Sequence, residues 1–305
     1  MRTRNNLLDI LRAICIIAVI LGHTQFFDNI YFLKIIYSFH VALFFIISGY
    51  LTKTDKPLID IIKTKFKSLI IPYLITSIIV LFGRILIKKE IFIYLCSIFY
   101  GSGEIEVEIR NLIFKSIGPV WFLPALFFAT IFTKLLSKLN INKQFIISLI
   151  LAIISTISSA YYWLPFSLQP ALIGTFFMVT GKMCKEEKIK NIINNKIILL
   201  ISLIISICYI YFIDSPDICA AKLPYLVVSI IGMLASCIVV YNLSKLLLRI
   251  KFLNKFLCFI GSNTLFILCI HTVQKTFLPT NSLIFFVLNI IFILIFLKLK
   301  KTKKI

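Results

Sequence analysis

Three histidines, one arginine and a lysine triplet are the residues of this chain best suited to chemistry in an apolar setting. His23, His40 and His271 are its only histidines. Imidazole is the side chain best placed to move protons near neutral pH. Arg12 to His23 reads RAICIIAVILGH, a cation and an imidazole bracketing ten apolar or small residues. Eleven helical steps make about 1100°, which returns both to one face, about 16 Å apart. Asp9, three residues before Arg12, joins that face. One end of this stripe offers a base and the other a cation. Arg12 has a second role open to it, pairing with Asp9 to hold the helix in a bundle. A helical histidine is also an ordinary hydrogen-bonding residue of a core, and both roles stand for all three. A metal site would need three or four converging ligands. No carboxylate or thiolate pattern accompanies the histidines, so none is expected.

Such residues need elements to hold them, and the composition says which. The chain has 305 residues, 60% of them hydrophobic, and a mean hydropathy of +1.02. That lies far outside the soluble range. Apolar runs of about 18 residues or more recur from end to end. The expectation is an all-α, polytopic integral membrane protein of about ten transmembrane helices, in a single domain over 1–305. The spans fall near 8–26, 32–51, 68–87, 118–136, 144–161, 165–182, 196–213, 223–243, 256–274 and 281–298. The first run lacks a small-residue cleavage site and carries Arg12 and His23, so it reads as a retained helix.

The net charge of +21 would suggest nucleic acid in a soluble protein. Here no nucleic-acid partner is expected, because the basic residues sort by loop. With the N-terminus in the cytoplasm, 24 of the 33 lie on inner segments, eight on outer ones, and Arg12 within the first span. The positive-inside rule therefore puts both termini in the cytoplasm. The basic end LKLKKTKKI anchors at the anionic inner leaflet, with the bilayer itself as partner. All three histidines then fall on the outer side. The eight cysteines include no CxxC pair and mostly act as small hydrophobes.

Shorter pieces add candidates. Lys63, Lys65 and Lys67 precede the third span, where Pro72 is expected to kink or start the helix. They are either ordinary inner-loop charge or a phosphate-contacting patch. Trp121, in GPVWFLPALF, is either an interfacial belt residue or an aromatic face for a sugar ring. Ser48 and Gly49 permit close helix approach; Ser48 lies far in depth from the histidines, which favours packing over a nucleophilic role. Gln274 shares a helix face with His271. Between 88 and 117, IFIYLCSIFY is too short to span, and GSGEIEVEIR alternates with period two, as a short strand or irregular loop does. That region is expected to be an outer loop with an interfacial segment.

In this order the pieces LLDILRAICIIAVILGH, FHVALFFIISGYL, the basic segment before LIIPY, GPVWFLPALF and IGSNTLFILCIH resemble the acyltransferase 3 family of integral membrane acyltransferases. The match is closest to the branch with fucose 4-O-acetylase-like and exopolysaccharide O-acetyltransferases, and it covers roughly 5–275. The resemblance implies a ten-helix membrane fold, and the Ile-, Phe- and Lys-rich composition fits a bacterial plasma (inner) membrane. It implies transfer of an acyl group, most often acetyl, from cytoplasmic acyl-CoA to a hydroxyl of a cell-surface or polyprenyl-linked glycan. No permanently bound cofactor is implied. The family's essential histidine and arginine match His23 and Arg12, and the branch's second-helix histidine matches His40. Much of the family has arginines where this chain has Lys63, Lys65 and Lys67, which keeps charge and loses bidentate geometry.

Together these give expected roles. His23 is the general base or a transient acyl carrier, with Arg12 as its catalytic companion. His40, Trp121 and His271 line the acceptor pocket or orient His23. Lys63, Lys65 and Lys67 contact the donor. The rival class is a transporter or flippase for a glycolipid or small solute, in which polar residues would line a pathway; few buried acids and no repeat symmetry speak against it. Oligomeric state is not legible.

Overall fold

The computed structural model describes residues 5–24, 29–53, 55–86, 91–101, 103, 107–109, 112–114 and 116–277. The expected tenth span (281–298), the basic tail and part of the GSGEIEVEIR segment lie outside these. Among the described residues the chain is helical except for one short hairpin.

Helix α1 (Asn6–Gly22) begins where the Asn5 side chain accepts from the Leu7 and Leu8 amides, an N-cap that satisfies two otherwise orphaned donors. Helices α2 (Ile30–Tyr37) and α3 (His40–Leu51) are halves of one 22-residue span. Next, α4 (Leu58–Lys65), a π-turn at Phe66–Ile70 and α5 (Ile71–Leu86) run on as one 29-residue helix. Pro72 therefore does not start the third span, which begins well before it. The Ile71 amide reaches back five residues to the Phe66 carbonyl. This wider turn makes room for the proline ring, which in a regular helix clashes with the carbonyl four residues earlier.

Helix α6 (Ile91–Tyr100) is ten residues long, too short to cross a bilayer. Strands β1 (Val107–Ile109) and β2 (Leu112–Phe114) pair antiparallel with Val107 opposite Phe114, in keeping with the period-two pattern. A 3₁₀ turn at Gly118–Trp121 leads into α7 (Phe122–Leu136). Then come α8 (Ile141–Ser158), α9 (Leu168–Met183), α10 (Glu187–Asn194), α11 (Lys196–Phe212), α12 (Leu226–Arg249), α13 (Lys251–Gly261) and α14 (Thr264–Phe277). The expected straight span 256–274 is instead the bent pair α13 and α14, which turn by 68°; the break falls at Ser262 and Asn263, where the small polar pair ends α13. Helices α10 and α11 bend by the same angle. Five helical stretches among the described residues are long and apolar enough to cross a membrane, or seven if each bent pair is one span.

The burial pattern is that of a protein solvated by lipid. On α8, Gln144, Ser148, Ala152 and Ser155 face inward while Ile146, Ile150, Ile154 and Ile157 are exposed. On α11, Ser202 and Ser206 are buried while Leu200, Ile204 and Ile207 face out. Ser236 of α12 donates to the Ser206 hydroxyl at 3.3 Å, both buried. Small residues inside and large apolar ones outside suit helices associating in hydrocarbon. At the centre, α9 is buried on nearly every side and packs on α3, α7 and α8. Its crossing with α3 has no space for side chains: a Cβ at Gly49 would overlap the Met178 backbone, and one at Gly181 the Ile46 backbone.

Candidate active site

Arg12, Ile16, Val19 and His23 line one side of a cavity of about 250 Å³. Their spacing of four, three and four is one face of a helix, so the polar stripe of α1 is a wall. The facing wall is the corresponding stripe of α3, with His40, Val41, Phe44 and Ser48. Lys65 and Leu69, the turn from Pro119 to Leu123 with Leu126, the loop Pro216–Cys219 and the start of α14 close the remainder. Because Arg12 and His23 both border it, the cavity follows about 16 Å of α1.

Local structure explains how each group is held. The break between α2 and α3 leaves carbonyls without their usual partners. His40, first residue of α3, places Nδ1 2.7 Å from the Ile36 carbonyl. A carbonyl only accepts, so Nδ1 carries the proton and Nε2 is the nitrogen left for other contacts. Trp121 is 6% exposed, so it stands in the cavity wall and not on a lipid-facing belt. Its 3₁₀ turn opens at Gly118, whose φ of +73° favours glycine. The covering loop is tied by two backbone bonds of 2.8 Å between Asp217 and Lys222, and the Asp217 carboxylate accepts from the Ala220 amide.

Charge is arranged along the cavity. Arg12 donates to the Asp9 carboxylate at 3.4 Å and also lines the cavity, so both of its sequence-derived roles coexist. Lys65 is close enough to Arg12 for the two to repel. Lys63 and Lys67 are exposed and line no described cavity. This division of the lysine triplet follows from the early start of the third helix. Residues two apart on a helix differ by about 200°, so Lys65 points away from a face shared by the other two.

At its far end His23 also borders a second cavity, of about 480 Å³, with Arg84, Tyr94, Ser116, Gly118, Thr272 and Lys275 among its lining. Lys275 Nζ lies 3.2 Å from His23 Nδ1. The His271 ring centroid is 5.7 Å from that of His23. His271 is fully buried and lines neither of these two cavities; its contact with the site is through the His23 ring. Arg12, His23, His40, Lys65 and Trp121 are thus brought together, as is Ser48. Ser48 is far from His40 along α3, and the length of the cavity joins them. Lys275 and Arg84 were missed because both sat among the outer-segment charges. The spacing of four between His271 and Lys275 was the one available signal.

A family model described as an acyltransferase domain matches residues 5–299. No curated protein and no solved structure matches the chain.

Proposed function

The chain belongs to the acyltransferase 3 family and is a membrane acyltransferase of that family, and from this premise we propose that it moves an acetyl group from cytoplasmic acetyl-CoA to a hydroxyl of a cell-surface or polyprenyl-linked polysaccharide. The observation that carries this is the first cavity, with Arg12 and Lys65 at one end and His23, His40 and Trp121 at the other. Two adjacent cations suit the phosphates of a coenzyme A head. About 16 Å of α1 separates them from His23, a distance that an extended pantetheine arm can bridge. In this proposal the chain sits in a bacterial inner membrane with both termini inside, as one domain over 1–305. It belongs with the fucose 4-O-acetylase-like and exopolysaccharide O-acetyltransferase branch.

His23 takes the proton of the acceptor hydroxyl as its oxygen attacks the thioester carbonyl. A C–O bond forms, the C–S bond breaks, and the departing thiolate receives the proton. His40 and Trp121 flank the place where acyl group and hydroxyl meet, the His271 ring packs beside that of His23, and Lys275 contacts His23 Nδ1 until the hydroxyl takes its place. The test is free-thiol release from acetyl-CoA by purified full-length protein given bacterial surface glycans, with mass spectrometry of the glycan for an added acetyl group. Acceptor-dependent thiol and acetylated glycan are expected; a transporter or flippase yields neither.

The lysine geometry gives a sharper expectation. Lys65→Gln should raise the KM for acetyl-CoA by about tenfold, the value of one lost charge-assisted hydrogen bond. Lys63→Gln should change it by less than about twofold, as an exposed charge does. Donor titrations on the two variants check this, and equal effects would return the triplet to a single patch.

A further inference from the structure

We propose that the second cavity admits the acceptor, and that the acceptor carries an anionic group, carboxylate or phosphate, beside the hydroxyl to be acylated. This rests on the acyl-transfer reading above and adds the substrate class and its route. His23 is the residue that borders both cavities among the described residues. Two substrates that must meet at one imidazole can therefore approach it each through its own space.

The tautomer of His23 points the same way. An ammonium has only donors, so Lys275 donates to Nδ1 and the lone pair of the neutral ring is on Nδ1. Lys275 itself lines the second cavity. The nitrogen able to take a proton therefore faces the second cavity, where an incoming hydroxyl replaces the ammonium at Nδ1.

The lining determines the class of ligand. Arg84 and Lys275 contribute two cations, and among the described residues no carboxylate lines the cavity. The Arg84 guanidinium carbon lies 4.4 Å over the Tyr94 ring. Stacking in this way fixes the plane of the guanidinium and leaves its edge to bond an oxyanion in two places. Among the described residues the buried Arg84 Nε–H and Tyr94 hydroxyl have no hydrogen-bond partner, a costly state that a bound oxyanion relieves. Chemistry adds a further demand. When His23 takes the hydroxyl proton, a second positive charge forms beside the displaced ammonium of Lys275, which lines the same cavity. An anion held between Arg84 and Lys275 offsets that charge; a neutral sugar does not.

The experiment measures equilibrium binding of radiolabelled glucose, glucuronate and glucose 1-phosphate to full-length protein in detergent, with no acyl donor present. At least one anionic sugar should bind about tenfold tighter than glucose or better, and which one separates carboxylate from phosphate. Arg84→Gln should lose that preference and Arg84→Lys should keep part of it. The wild-type comparison needs no variant, so misfolding of a variant does not rescue the idea. Three sugars binding alike, none binding, or a preference that survives Arg84→Gln overturns it. Anion preference without thiol release in the turnover assay would remove the acyl-transfer reading and leave the anion site standing. Turnover with neutral and acidic acceptors at equal KM would do the reverse.

Discussion

His23→Ala lowers acyl transfer by roughly 10²–10⁴-fold, the contribution expected of a positioned base. Donor binding persists, because Arg12 and Lys65 lie at the other end of the cavity. Stopped assays of thiol release, with a parallel donor-binding titration, separate the two effects. Imidazole added to the variant should restore part of the rate, which a purely structural loss would not allow. Labelled acetyl-CoA without acceptor then distinguishes base from carrier. Label that stays on wild-type protein and is absent from His23→Ala means the acyl group passes through the ring; no label means His23 acts as a base. A variant with wild-type turnover would remove His23 from the chemistry altogether.

The second large effect is structural. Gly49→Val and Gly181→Val each place a side chain on the backbone of the partner helix, at Met178 and Ile46 respectively. Overpacking against side chains typically costs about 1–3 kcal/mol. Here the obstructing atoms are main chain and cannot rotate away, so each substitution should exceed about 3 kcal/mol, a large part of ordinary total stability. The expected result is loss of the monodisperse peak on size exclusion and a large fall in the thermal midpoint. Gly22→Ala meets only the Ile36 and Tyr37 side chains, the nearest at 3.3 Å, and should retain the peak. Survival of Gly49→Val at wild-type midpoint would mean that α3 and α9 do not cross this closely.

What the sequence could and could not express follows from the range of its signals. The Arg12–His23 stripe was legible because helical period acts within one element, and the period predicts the wall that α1 presents. The break before His40 was not, because the 22-residue run stays apolar enough on average to read as one span, and the dip at Ser38 and His40 does not by itself mark a break. The same blindness merged α13 and α14 into one span. The lysine triplet was read without its helix: a start at Leu58 and not near 68 puts Lys65 on the face opposite Lys63 and Lys67. Lys275 belonged to the site only through contact with His23, some 250 residues away in the chain, and no local pattern carries such a contact. The polytopic helical character and the family were thus readable from composition and motif order, while the partition of the site into two cavities required tertiary packing.

The inward serines of α8 and α11 have a calorimetric consequence. Separating these helices within a bilayer exposes small and polar faces to lipid tails and brings no new apolar surface into water. The large positive heat-capacity increment of unfolding in soluble proteins comes from hydrating such surface. Its source is missing here, so the free energy of helix separation should vary almost linearly with temperature and show no cold-denaturation branch. Cooling should tighten this bundle over the range where a water-soluble core of similar size begins to loosen.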